Sequence, residues 1–120
     1  MKNFELTKTF YFDAAHNLSK VPPEHKCSNI HGHTFRVDVT ISGEVNSDKG
    51  WVMDFGDIKS TVQPIIDKLD HHYLNEVEGL EKGTSENLVM WLWDKIKPVL
   101  PKLTKIVVWE SPNSHCTYSE

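Results

Sequence analysis

Cys27-Ser28-Asn29-Ile30-His31-Gly32-His33 is the densest run of chemistry-bearing side chains in this 120-residue chain, which carries seven histidines and two cysteines. In an extended backbone His31 and His33 leave the same face with Cα atoms about 6.5–7 Å apart, close enough for both imidazoles to converge on one ion. Gly32 between them has no side chain to block approach from the other side. His16 offers a third nitrogen: it keeps even-position register with Phe10, Phe12 and Ala14, and antiparallel pairing lays the end of that segment beside the start of the next. Three histidines with an open fourth position is the ligand set of catalytic zinc, whereas a structural site is closed by four protein ligands. Cys27 is available as that fourth ligand, and His-x-His pairs also arise by chance; spacing leaves these readings open.

Leu69-Asp70-His71-His72-Tyr73-Leu74 is a second cluster. An Asp beside a His can orient the imidazole and stabilise its protonated form for acid-base work, and the same residues also suit a solvated helix end. Glu110 is a lone carboxylate in parity with Ile106 and Val108, either buried with a specific partner or at a strand end in water.

The elements that must position these groups follow from hydrophobic period and punctuation. Phe4–Asp13 places its apolar residues mainly on even positions and reads as a strand buried on one face. Residues 19–29, with Pro22-Pro23, read as an irregular loop. Phe35, Val37, Val39 and Ile41 alternate with Arg36, Asp38, Thr40 and Ser42 as a second strand. Ile58, Val62, Ile65, Ile66 and Leu69 recur at helical spacing, with Asp54 or Asp57 as cap; Pro64 inside that helix is expected to kink or split it. After Gly83 a second helix begins, with Thr84 or Ser85 as N-cap, Glu86 in the first turn and Leu88, Trp91, Leu92 and Ile96 as the stripe; Pro98 and Pro101 end it. Ile106–Glu110 and a segment from about His115 supply two further strands.

The order ββααββ is an α+β plan: a four-stranded antiparallel sheet with two helices on one face, in one domain spanning residues 1–120. The other sheet face carries Glu5, Thr7, Thr9, Arg36, Asp38 and Thr40, so it meets either solvent or the inside of a barrel closed between subunits.

Composition removes several functions. With 13 Lys plus Arg against 17 Asp plus Glu and no basic block, the chain lacks the cationic face that nucleic acid requires. The absence of a long apolar run argues against a membrane span or secretion signal, and two cysteines are too few for a disulfide framework, which together suggest a cytoplasmic protein.

Cys27 with His31-Gly32-His33, Asp13-Ala14-Ala15-His16, Leu69-Asp70-His71, Thr84-Ser85-Glu86-Asn87 and Trp109-Glu110 together resemble the 6-pyruvoyl-tetrahydropterin synthase family, in the family's motif order from Phe4 to Tyr118. The three-residue gap between Cys27 and His31 resembles the branch that forms a 6-carboxy product in queuosine biosynthesis rather than the pyruvoyl-forming branch. The resemblance implies a tunnelling fold, with trimers closing their sheets into a barrel and two trimers stacking as a homohexamer. It implies zinc on His16, His31 and His33, Cys27 as catalytic base, and Asp70 with His71 as the proton-relay pair. Glu110 is then the pterin anchor, with Thr84, Ser85 and Glu86 near the ring. The implied substrate is 7,8-dihydroneopterin triphosphate, whose charge calls for a local basic patch; Lys20, Lys26 and Arg36 are candidates.

Overall fold

In the computed structural model, which describes residues 2–120, two long strands, β1 (Asn3–His16) and β2 (His31–Glu44), form the spine. They pair antiparallel over their whole length, from Asn3 opposite Glu44 to His16 opposite His31. Strand β3 (His72–Tyr73) is short, β4 (Leu103–Ser111) follows the helices, and β5 (Ser114–Ser119) closes the chain. The order across the sheet is β3-β1-β2-β4-β5. The sheet therefore has five strands and is mixed, not the expected four-stranded antiparallel one: β3 pairs parallel to β1 at Ala14 and Ala15. Two residues have no period to read, so this strand is set by tertiary contact, not by pattern.

Helix α1 (Phe55–Asp67) is capped by Asp54, whose carboxylate accepts the Gly56 N–H at 2.8 Å. Pro64 does not split it. Proline sits in the last turn, so the one ladder bond it removes, to the Ser60 carbonyl, leaves the preceding turns intact and few residues beyond it to displace. Helix α2 (Ser85–Ile96) is capped by Thr84, whose hydroxyl accepts the Asn87 N–H at 3.1 Å. None of the helices among the described residues is long and apolar enough to cross a membrane.

Both helices cover the sheet face formed by Phe10, Phe12, Phe35, Val37, Val39, Ile106 and Val108. Ile58, Val62 and Ile66 of α1 and Leu88, Leu92 and Ile96 of α2 are buried against it. Each such side chain contributes about 1.5–3 kcal/mol relative to exposure. Phe12 and Phe35 stack at 4.9 Å between ring centroids, directly behind the histidine end of the sheet.

The polar face is internally bonded. Thr7 and Thr40 hydroxyls meet at 2.7 Å, Ser42 and Thr104 at 3.0 Å, and Thr9 donates to Asp38 at 2.8 Å. Asp38 is buried, which alone raises its pKa, yet hydrogen bonds from Arg36, Thr9 and Trp109 outweigh burial and hold the carboxyl below its ordinary range. Outside Ala14 and Ala15 the outer edge of β1 has no strand beside it among the described residues, and β5 is the other edge.

Candidate metal centre and catalytic site

The pairing of β1 with β2 sets His16 opposite His31 and Ala14 opposite His33. Strand alternation then turns all three imidazoles to the helix-covered face, at the end of the sheet beyond Phe35. Ring centroids are separated by 4.6 Å (His16–His31), 5.0 Å (His16–His33) and 5.1 Å (His31–His33), and one nitrogen from each lies within 4.8 Å of the others. His16 Nδ1–H donates to the Gly83 carbonyl at 2.7 Å and His31 Nδ1–H to the Asn29 carbonyl at 2.8 Å. These bonds assign the lone pair to Nε2 in both rings.

The Nε2 atoms of His16 and His33 are buried with no hydrogen-bond partner. An orphaned buried polar atom costs about 1–3 kcal/mol, a cost that a bound cation removes. Burial lowers the pKa of both: in His16 the Gly83 carbonyl and Glu110 oppose it, and in His33 the neighbouring His16 adds to it. The rings are thus held neutral, as metal ligands must be. An all-imidazole donor set fits zinc and leaves room for a non-protein ligand. The donor group contains the three histidines and not Cys27, which favours the open site over one closed by the thiol.

Glu110, one residue before the end of β4, lies near this cluster, close enough to act electrostatically on His16 and His33. Its Oε1 accepts the Ser85 hydroxyl at 2.6 Å, so of the two readings of Glu110 the half-buried one with a partner holds. Ser85 is free for this because Thr84 takes the capping role, and Glu86 is exposed on the first turn of α2. The loop from β1 to β2 carries Cys27 on a single 3-10 turn, Lys26–Ser28, which is bonded to the residues that follow His16. Cys27 is half-buried; its N–H donates to His25 Nδ1 at 3.1 Å and its carbonyl accepts the Leu18 N–H at 2.8 Å.

Asp70 and His71 lie elsewhere. His71 Nδ1 is 3.1 Å from Asp70 Oδ1, and Asp70 Oδ1 also accepts the Asp13 N–H at 2.9 Å. The His71 N–H donates to the Asp13 carbonyl at 2.7 Å, and His71 adopts φ 61. A non-glycine residue in the left-handed region stores strain of the kind found at functional sites. The hydrogen bond from the Asp13 backbone, ahead of the contact with His71, holds the Asp70 carboxyl below its ordinary range. The His71 side chain is 79% exposed, and its neighbour Asp13 points to the sheet face opposite His16. The Asp70–His71 pair and the three histidines are therefore two separate clusters in one chain.

Asp13 was not expected beside Asp70 and His71. Its odd parity places it on the polar face, and no sequence signal brings residue 70 to it. The remaining histidines also have places: His25 caps the Cys27 turn, His72 Nδ1–H donates to the Asp70 carbonyl at 2.7 Å, and His115 stacks on Trp109 at 4.1 Å. Arg36, one of the three candidates for a basic patch, pairs with Asp38 through two bonds of 3.0 and 3.2 Å on the polar face.

Fold and site define a class: an α+β sheet-and-helix protein whose sheet end presents three clustered imidazoles beside a carboxylate and a thiol-bearing turn. The chain belongs to the 6-pyruvoyl tetrahydropterin synthase family, whose model matches residues 5–120. It is 38% identical over 119 residues to the 6-carboxy-5,6,7,8-tetrahydropterin synthase of Synechocystis sp., covering 92% of this chain and 89% of that one. It is 37% identical over 102 residues to a dihydroneopterin monophosphate aldolase of Pyrococcus furiosus, covering 82% of each. Among solved structures, the 6-pyruvoyl tetrahydropterin synthase of Caenorhabditis elegans matches with TM-score 0.91 and 29% identity, covering 100% of this chain and 97% of that one.

Proposed function

We propose that this protein is a zinc-dependent lyase that converts 7,8-dihydroneopterin triphosphate to 6-carboxy-5,6,7,8-tetrahydropterin, releasing acetaldehyde and triphosphate, in cytoplasmic 7-deazaguanine (queuosine) biosynthesis. The observation that carries the reading is the pair of buried, unpartnered Nε2 atoms on His16 and His33, facing a common point beside Glu110 in a chain of this family. Zinc held by His16, His31 and His33 supplies Lewis acidity toward the substrate's side-chain hydroxyl oxygens.

The chain's own groups do the rest. Glu110, fixed by Ser85, accepts two ring N–H donors of the pterin and sets its orientation, with Thr84 and Glu86 at the rim. Cys27 takes a proton from the activated side-chain carbon, and His71, held by Asp70, moves the second proton.

Exposure of His71 and its place away from the three-histidine face support assembly into a homohexamer in which a neighbouring copy supplies the relay pair. The unpaired edge of β1 and the edge strand β5 are the surfaces that barrel closure would consume.

A second reading is a related side-chain lyase, pyruvoyl-forming or aldolase-type, and the likeness to the Pyrococcus furiosus aldolase favours testing it. Mass analysis of the pterin product separates them. A 6-carboxy product with equimolar acetaldehyde is expected; a 6-pyruvoyl or 6-hydroxymethyl pterin would replace the carboxy assignment.

A further inference from the structure

Strand β1 ends at His16, and the next residue, Asn17, is where three segments of the site meet. Its N–H donates to Asn75 Oδ1 at 3.0 Å and its carbonyl accepts from Asn75 Nδ2 at 2.8 Å, a reciprocal pair that holds this backbone as a neighbouring strand would. Its side chain then reaches two ways. Nδ2 donates to the Ser28 carbonyl at 2.9 Å, on the turn that carries Cys27, and Oδ1 accepts the Tyr73 hydroxyl at 2.6 Å, two residues beyond His71. Leu18 follows with its N–H on the Cys27 carbonyl at 2.8 Å. Asn75 Nδ2 also meets the Glu81 carbonyl at 3.1 Å, just ahead of Gly83, whose carbonyl orients His16.

The loop that carries Cys27 has only one 3-10 turn of regular structure and no buried residue in that turn. Packing therefore does little to fix the thiol, and the bonds from Asn17 and Leu18 tie its turn to the end of β1. Asn17 uses both ends of its amide, so neither Ala nor Asp reproduces the arrangement: Ala loses both bonds and Asp loses the donor to Ser28.

We propose that Asn17 is a positioning residue that holds the Cys27 turn against the end of β1 that carries His16 and sets it, through Tyr73, against the strand that follows His71. The kinetic part rests on Cys27 acting as the base; the placement of its thiol does not.

The test uses the full chain loaded with zinc, in a Cys116→Ser background that leaves Cys27 as the only thiol. Iodoacetamide alkylation rate, zinc per chain, kcat and KM are measured for Asn17→Ala, Tyr73→Phe and the double variant. Asn17→Ala is expected to raise the alkylation rate and lower kcat by about tenfold each, with KM within about twofold and zinc unchanged; Tyr73→Phe is expected to give about a threefold effect. The double variant should match Asn17→Ala, because the Tyr73 bond is already gone. An unchanged alkylation rate overturns the proposal whatever turnover does. So does loss of zinc in Asn17→Ala, which would place the effect on His16, and so does full additivity of the two substitutions. Should Asn17→Ala fail to fold, Tyr73→Phe, which removes one hydroxyl, carries the same alkylation test. Turnover surviving in Cys27→Ala would refute the role of the thiol as base while leaving the alkylation result to judge its placement.

Discussion

Gly83→Ala is the substitution whose cost can be worked most fully from the structure. Gly83 is buried at φ +77, and a Cβ there would lie 1.9 Å from the Asn17 carbonyl oxygen and 3.0 Å from Asn75 Nδ2. The left-handed backbone costs an alanine about 1–2 kcal/mol. The oxygen is backbone, so it cannot swing aside; relief requires moving residue 17 or residue 83. Either movement breaks the Asn17–Asn75 pair or the 2.7 Å bond from His16 to the Gly83 carbonyl. At about 0.5–1.5 kcal/mol for each hydrogen bond lost, the total is about 3 kcal/mol. For a domain of this size that lowers Tm by about 12 °C. Loss of the carbonyl that orients His16 should also weaken zinc binding about 10–100-fold. Thermal unfolding by circular dichroism and zinc competition against a chromogenic chelator read the two effects separately. A Tm within about 2 °C of the parent would refute the steric reasoning. A lowered Tm with unchanged zinc affinity would refute the claim that Gly83 orients a ligand.

Cys27→Ala should reduce turnover by about a thousandfold while keeping zinc stoichiometry, as expected for loss of a proton-transfer group; metal analysis showing zinc lost would instead make Cys27 a ligand. Glu110→Gln removes a charge-assisted acceptor and should raise the pterin dissociation constant about 10–100-fold with metal content unchanged, measured by calorimetry; unchanged affinity would sink the anchor role. Metal-free protein should lose stability on acidification. The folded-state pKa values of His16 and His33 lie below 6.5, so the unfolded chain takes up protons first, and their contribution is present above pH 6.5 and lost as pH falls through the lowered values. Urea midpoints between about pH 5 and 8 should therefore rise with pH, and a flat profile would contradict neutral burial of these rings.

What could be read from sequence was what lies within one element or across one simple pairing. The alternation in β2 and the even register from Phe10 to His16 are enough to place three imidazoles on one face. The N-cap choice between Thr84 and Ser85 stayed open, because both hydroxyls suit the position; Thr84 caps, and this frees Ser85 for Glu110. The two-residue strand β3 left no pattern to find. Nor did sequence bring Asp13 to Asp70, since that contact joins positions 57 apart and its donor is a backbone N–H of the kind nearly every residue carries. Asn17 was invisible for a similar reason: a single Asn after a strand is ordinary turn chemistry, and its importance comes from what Ser28, Tyr73 and Asn75 bring to it.

His16, His31 and His33 are proposed to hold the zinc with which this chain processes a pterin triphosphate. The direct test is to strip the metal with a chelator, restore zinc stepwise, and follow conversion of 7,8-dihydroneopterin triphosphate by mass spectrometry alongside metal content. Turnover should rise in proportion to bound zinc, saturate at one ion per chain, and vanish together with zinc binding in His33→Ala. Full turnover in the stripped protein, or in His33→Ala without bound metal, would contradict the account.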